Sequence, residues 1–389
     1  MHQHANRIES TLLRRINERR LLEVLQQQGP SSRAHLSRLS GLTAPTVSKA
    51  VDSLLRRGFL EELDAPGSVV GRPGKLVRMA AETAVVLGVV VDVVTSSVVL
   101  AGLDGRVVAE RTRTFPTPTT YAALLDAVER ECRTALDGVT AALHGIGISV
   151  PGLVNARSAA VVYSPNLHLL DGRDPARDLS ARMGVPSVLL QEADALCFAE
   201  RLHGAGRGVE HVALLDVSHG LGLSVMSGGR VLAGRSGMAG ELGHVTMQPD
   251  GVLCGCGNRG CLETLATDAA LVRLMGEALG TPPTLEGAAH LLATEPERVA
   301  GPVAIVSEYL AIAIAAAINI FNPSTLLVHG ALLVGDTGRF ARVVERVRAR
   351  ALGASLADCT IVPTRSSKRE GAVAGIIHAL TDACAPAVH

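Results

Sequence analysis

The sequence predicts an α/β protein in which an N-terminal winged helix-turn-helix is followed by a two-lobed body. Apolar residues recur at helical spacing before residue 58, with breaks at Gly29-Pro30 and Gly41. Beyond about residue 82, Gly-rich apolar strands alternate with Ala-rich helices, and a hairpin pattern near residue 85 returns near residue 214. With 389 residues, 47 % of them hydrophobic, and 40 glycines, the chain is long enough for two or three domains with sizeable cores. We divide it into a head, residues 1–81, and a body, residues 82–389.

In the head, Leu12, Ile16, Leu21, Leu22 and Leu25 mark a first helix that Gly29-Pro30 stops. A short second helix follows Ser31-Ser32, with Ala34, Leu36 and Leu39 inward, and Gly41 makes the turn. Thr43 is the expected N-cap of a third helix, Pro45 fits its first turn, and Val47, Val51, Leu54 and Leu55 form its buried stripe. Residues 59–63 and 75–79 read as paired strands, and Gly71-Arg72-Pro73-Gly74 places an arginine at the tip of the wing between them.

The charge is split along the chain. Residues 1–80 hold 13 Lys/Arg against 7 Asp/Glu, whereas the remainder holds 24 against 30, so the head is the segment suited to nucleic acid. A recognition helix meets DNA with its N-terminal residues, which makes Thr43, Pro45, Thr46, Ser48 and Lys49 the major-groove and phosphate candidates. Arg72 is shaped to enter a narrow minor groove.

In the body, residues 85–94 and 97–103 read as adjacent strands, 121–136 as a helix, and 145–150 as a buried strand ending at Pro151-Gly152. Residues 187–190 form a further strand that runs into a helix over 193–203, and 214–217 with 222–227 repeat the hairpin. The apolar run 309–321 is shorter than the roughly 20 residues a membrane helix needs and stops at Asn322-Pro323, so it reads as a core helix. No secretory signal follows Met1, and the expectation is a cytoplasmic, nucleoid-associated protein without a membrane span. Cys132, Cys197, Cys359 and Cys384 stand apart from one another and read as buried thiols.

The most informative stretch runs from Gly240-Glu241-Leu242-Gly243-His244 to Cys254-Gly255-Cys256-Gly257-Asn258-Arg259-Gly260-Cys261-Leu262-Glu263. His244, Cys254, Cys256 and Cys261 supply one imidazole and three thiolates, the donor set of a closed tetrahedral zinc site with no position for a catalytic water. One structural zinc ion per chain is therefore expected. Glu241 and Glu263 flank the ligands, so the metal braces a binding site.

Taken with Ser32-Arg33-Ala34, Gly41-Leu42-Thr43-Ala44-Pro45-Thr46-Val47-Ser48, Gly71-Arg72-Pro73, Gly147-Ile148-Ser149-Val150-Pro151-Gly152 and Ser164-Pro165-Asn166-Leu167, these blocks carry a resemblance. From about Asn17 to about Leu380 the chain resembles repressor-type members of the ROK family (repressors, uncharacterised reading frames and sugar kinases). The resemblance implies an actin-like, ribonuclease-H-like body of two lobes. It also implies a sugar site, which maps onto Gln191, Glu192, Glu241, His244 and Glu263.

The sugar kinases of the family carry glycine-rich phosphate loops, and this chain departs from all three. Val94 and Thr95 stand where glycines would admit a phosphate, Ser218-His219-Gly220 replaces a Gly-Thr-Gly loop, and His329-Gly330-Ala331 keeps one glycine of a pair. The family's Asn-Asp pair, which holds the catalytic base, appears as Gln191-Glu192, each one methylene longer, with Asp194 the other carboxylate in reach. The expectation is a non-catalytic effector domain. The whole reads as a DNA-binding regulator, a repressor of carbohydrate-related genes, that binds a double-stranded operator as a homodimer or homotetramer and answers to a sugar or sugar derivative. An ATP-dependent sugar kinase with an attached DNA-binding head is the rival, and a metal-sensing regulator the third.

Overall fold

Described here in a computed structural model are residues 2–64, 75–155 and 158–383, with side chains from residue 12 onward. The chain forms two compact units: Met1–Val150 with Arg173–Leu190 and Ser367–His389, and Pro151–Gly172 with Gln191–Ser366.

The first unit begins with helix α1 (His2–Gln28), strand β1 (Ser31–Ser32), α2 (Arg33–Ser40) and α3 (Ala44–Arg56). Ser32 caps α2 by accepting from the His35 N–H at 3.2 Å, and β1 is a short strand where the sequence predicts none. The inward face of α2 differs from expectation. Leu36 and Ser40 are buried, whereas Ala34 and Leu39 are exposed, because positions four apart line one helical face. Gly41 ends α2 at φ +68°, a left-handed conformation that turns the chain into α3, and the Ser37 hydroxyl donates to Leu42 O across the turn. Val47, Ala50, Val51 and Leu54 are the buried face of α3, with Leu55 only half-buried. Strands β2 (Leu60–Asp64) and β3 (Lys75–Met79) pair antiparallel with Leu60 opposite Met79, giving a sheet of order β1-β3-β2. The expected wing tip, Arg72 included, lies outside the described residues.

The same unit continues into β4 (Ala84–Val90), β5 (Thr95–Gly102), β6 (Val107–Pro116), α4 (Tyr121–Leu136) and β7 (Ala142–Val150). In the second unit a ribbon follows, β8 (Leu153–Asn155) with β9 (Ala160–Tyr163). The chain then returns through α5 (Pro175–Met183) and β10 (Ser187–Gln191) before α6 (Glu192–His203), β11 (Val212–Asp216), β12 (Gly222–Ser227) and β13 (Arg230–Val231). Helices α7 (Glu263–Ala266), α8 (Asp268–Leu279), α9 (Leu285–Thr294) and α10 (Ala300–Phe321) come next. After them lie β14 (Thr325–His329), α11 (Thr337–Arg348), α12 (Gly353–Ala357), β15 (Thr360–Pro363) and α13 (Lys368–Asp382).

The two five-stranded sheets are built alike. One has the order β10-β7-β4-β5-β6 and the other β15-β14-β11-β12-β13, each with a central antiparallel hairpin and a parallel neighbour. The repeated hairpin of the sequence is thus the seed of each sheet. In the first unit α13 packs on β4 and β7, so closely that a Cβ at Gly147 would stand 1.9 Å from Ala372 O. In the second, Leu310, Ile314 and Ile318 of α10 enter a core with Leu215, Leu326 and Val328. Among the described residues, 296–321 form one helix long and apolar enough to cross a membrane, and half of its apolar window is buried in this fold.

Within the first unit the head also meets the sheet that follows it. The Phe59 ring stands edge-on to His144 with centroids 5.3 Å apart, and Glu61 accepts from the N–H groups of Glu82 and Thr83 at 3.2 Å each. From α1, Gln26 donates to Thr381 at 3.2 Å and Arg19 pairs with Asp382 at 3.1 Å.

Candidate functional site

The run 240–244 lies across the backbone of β12. Gly240 has φ +92°, and a Cβ there would stand 2.1 Å from Leu223 O, so the close approach requires glycine. The chain then makes a single 3₁₀ turn over Leu242–His244, which sets His244 and Glu241 on the same side of it. The following loop folds back through bridges between Thr246 and Cys261 and between Leu253 and Arg259, while Gly257 and Gly260 take positive φ.

These turns bring four ligand atoms, one each from His244, Cys254, Cys256 and Cys261, within 4.8 Å of one another. Nδ1 of His244 is 3.6 Å from Cys254 Sγ, and Cys256 Sγ is 3.7 Å from Cys261 Sγ. Bonds to a tetrahedral zinc ion would put such donors about 3.6 to 3.8 Å apart, so the spacing and the chemistry of the set are both compatible with zinc. Burial raises the thiols of Cys254 and Cys261. Cys256 is also partly buried, which raises it, but hydrogen bonds from the Asn258 backbone and the Cys254 and Cys261 side chains bring it below the ordinary thiol range.

The second ring nitrogen of His244 faces away from the thiols, Nε2 lying 3.7 Å from Glu241 Oε2. Glu263, the first residue of α7, approaches Nδ1 at 3.8 Å through Oε1, and that oxygen accepts from the Cys254 thiol at 2.9 Å. Burial raises the Glu241 carboxyl, opposed by the charge of His244 and a hydrogen bond from Gln191, and reinforced by Glu263 and Asp194. Gln191 is the N-cap of α6 and also donates toward Gly152 O at 3.4 Å; Glu192 is the first residue of that helix. Asp194 accepts from the Ser224 hydroxyl at 2.6 Å and is raised by burial. The structure therefore gathers Gln191, Glu241, His244 and Glu263 around one polar surface, with Asp194 alongside, and Glu192 follows Gln191 in the chain. Such a group of acceptors can bind the hydroxyls of a polyol.

In the head, the residues expected to face DNA lie at the N-terminal half of α3. Thr43, Pro45 and Lys49 are exposed, and Thr46 and Ser48 half-buried. Thr43 has the extended backbone of an N-cap, yet its hydroxyl pairs with the Thr46 hydroxyl at 2.9 Å instead of capping an N–H, leaving free amides at that end of α3. Arg33 braces the turn from behind, bonded to Asp52 at 2.7 Å and Glu62 at 3.1 Å.

Of the buried carboxylates, the sequence singles out Asp194 but not Glu200 or Asp268. Glu200, fully buried at the far end of α6, accepts from the N–H groups of Ala205, Arg365 and Ser366. Asp268, at the start of α8, accepts from Ala331 N at 2.6 Å and Leu332 N at 3.1 Å. The available signal for Asp268 was the Thr267-Asp268 helix start; Glu200 sits in the last turn of α6 beside Arg201 and leaves none that spacing reveals.

The family described as "ROK family" matches residues 86–382, and a winged helix-turn-helix DNA-binding family matches residues 14–61. The chain is 26 % identical over 328 residues to a xylose repressor of Bacillus subtilis (strain 168), covering 84 % of each protein. It is 32 % identical over 243 residues to a glucokinase of Streptomyces coelicolor, covering 57 % of this chain and 74 % of that one. A solved ROK family transcriptional regulator, a homolog of the E. coli MLC protein, superposes with a TM-score of 0.81 at 26 % identity, over 96 % of this chain and 98 % of that chain.

Proposed function

Because the chain belongs to the ROK family, we propose that it is a DNA-binding transcriptional repressor of carbohydrate-related genes whose occupancy of DNA is set by a sugar or sugar derivative. Its winged helix-turn-helix, residues 1–81 in our division, is the DNA-reading head, and residues 82–389 are the effector domain. The observation that carries this reading is the exposed N-terminal half of α3, with Thr43, Pro45 and Lys49 on the surface above a buried apolar face. A recognition helix needs that division.

In this reading two heads of a homodimer, or of a homotetramer, engage two half-sites. The effector acts only if it favours one arrangement of the heads, since equal affinity for both would shift nothing. Its hydroxyls are taken by Gln191, Glu192, Glu241, His244 and Glu263. One zinc ion, held by His244, Cys254, Cys256 and Cys261, supplies a fixed anchor for this loop and no reacting group. The place of action is the cytoplasm, at the nucleoid.

A non-catalytic body is supported by how the candidate nucleotide loops are filled. Val94 is 77 % exposed at its turn, where a branched side chain keeps a phosphate from the main chain. The Ser218 N–H and hydroxyl both donate to Asp216, and the amides of Ala331 and Leu332 are given to Asp268. The test uses the purified full chain to retain fragments of genomic DNA in the presence and absence of single sugars and sugar phosphates. Retention of discrete fragments that one sugar alters is expected. Failure to retain DNA, or sugar-dependent release of ADP from ATP, overturns the proposal.

A further inference from the structure

Within the first unit, a small polar cavity lies where α1 and α3 of the head meet the end of α13. It has a volume of about 200 Å³ and is lined by Arg14, Arg15 and Glu18 of α1, Ser53 and Arg57 of α3 and its C-cap, and Ala383 just after α13.

Helical spacing builds it. Arg14 and Glu18 stand four apart on α1, and Ser53 and Arg57 stand four apart along α3, so each pair shares one helical face and the two faces border the same space. Glu18 is only 1 % exposed, and its Oε2 accepts from Arg57 Nη1 at 2.8 Å. Its Oε1 has no hydrogen bond and stands 3.8 Å from Arg14 Nε. One buried carboxylate thus lies between two guanidiniums. The third, Arg15, has no hydrogen bond or ion pair among the described residues, nor has the Ser53 hydroxyl. The acidic residues next to the lining in the chain, Asp52 and Asp382, are turned to other cations, Arg33 at 2.7 Å and Arg19 at 3.1 Å. Three guanidiniums against one carboxylate leave two positive charges in excess around the cavity. Like charges confined to one concave space draw in an anion.

We propose that this cavity binds a compact phosphate dianion, free in solution, with Arg14 and Arg15 as its charged donors, Ser53 as a neutral one, and Glu18 holding Arg57 in place. The guanidinium fork matches phosphate oxygens, and the volume admits a phosphate with few further atoms. DNA is the other source of the same group, and the geometry of α3 disfavours it. Pro45, Lys49, Asp52 and Arg56 recur along one exposed line of that helix, whereas Ser53 and Arg57 lie on the flank toward α1. A bound anion removes the mutual repulsion of the guanidiniums and ties α1 to α3, so its occupancy bears on how the helix expected to read DNA is held. The site shares no residue with the sugar reading and is tested apart from it.

The test titrates the full chain with inorganic phosphate at about pH 7.5, in chloride at constant ionic strength, by calorimetry. Phosphate saturates about one site per chain and raises the melting temperature by mass action. Arg14→Gln and Arg15→Gln, at exposed positions of α1, each weaken phosphate about fivefold or more, whereas Arg38→Gln, at an exposed position of α2 outside the cavity, leaves it within about twofold. Absence of saturation up to about 10 mM phosphate overturns the proposal. Wild-type affinity in both α1 variants places the phosphate elsewhere and overturns it as well, and an equal loss in Arg38→Gln reduces it to a general charge effect. A duplex of arbitrary sequence supplies the other arm. Its salt slope is expected to be the same for Arg15→Gln and the wild type, and a slope lowered by about one assigns the cavity to a DNA phosphate and overturns the free anion.

Discussion

His244 presents its two ring nitrogens to different partners: Nδ1 stands 3.6 Å from Cys254 Sγ and Nε2 stands 3.7 Å from Glu241 Oε2. A metal on the first nitrogen fixes the ring, and the fixed ring aims the second at whatever Glu241 binds. Cys256→Ser is therefore expected to reduce zinc from about one ion per chain to a small fraction of that, and to weaken the effector response in parallel. Metal analysis after desalting, with effector-induced shifts in melting temperature, measures both. A full response from metal-free protein would separate the loop from the ligand.

Glu241→Gln keeps the size of the side chain and removes an acceptor that hydroxyl donors need. Effector affinity is expected to fall by about tenfold or more, equivalent to roughly 1.4 kcal/mol, whereas zinc content stays unchanged. Titration of the effector against both proteins checks it, and a loss of zinc in this variant would show that Glu241 serves the metal instead.

In the head, Lys49 is exposed in the second turn of α3, where a phosphate contact is sequence-blind. Lys49→Ala should weaken all bound fragments alike and reduce the salt slope of binding by about one, while Thr46→Val should alter the preference among fragments. Arg72→Ala should lower affinity most for sites with a narrow minor groove. Anisotropy titrations at several salt concentrations distinguish the three patterns.

Burial, helped by the charge of Arg57, lowers the pKa of His144 from the ordinary 6.5. In the unfolded chain this histidine binds a proton below that value, whereas in the folded unit it resists doing so. Stability is thus lost as pH falls beneath 6.5 and is unaffected above it. His144→Gln should flatten the pH dependence of the urea midpoint as pH falls below 6.5. An unchanged slope would mean that other groups govern it.

How far the sequence could be read follows from which interactions are local. The helix ends at Gln28 and Gly41, the strand 75–79 and the helix 121–136 were legible because glycine, proline and apolar spacing act within a few residues. The zinc-type cluster was legible because thiols and imidazole at such spacing have few other uses. The inward face of α2 was not, since Leu39 is left outside by the particular packing of Leu36 and Ser40. Nor were the roles of Asp268 and Glu200, which fasten backbone amides as far as 63 and 165 residues away in the chain, groups without side-chain identity.

Helix α13 covers β4 and β7, with the Ala372 carbonyl pressed against Gly147 and Val373 against Gly88. The ribosome makes those strands early and this helix more than two hundred residues later, so the newborn sheet leaves the exit tunnel with one apolar side bare. Closure of the first unit, and the fastening of α1 to Thr381 and Asp382, waits for translation to reach the distal helix. Premature stop codons before residue 368 should accordingly yield aggregating fragments dependent on chaperones, even though every residue of the head has been synthesised.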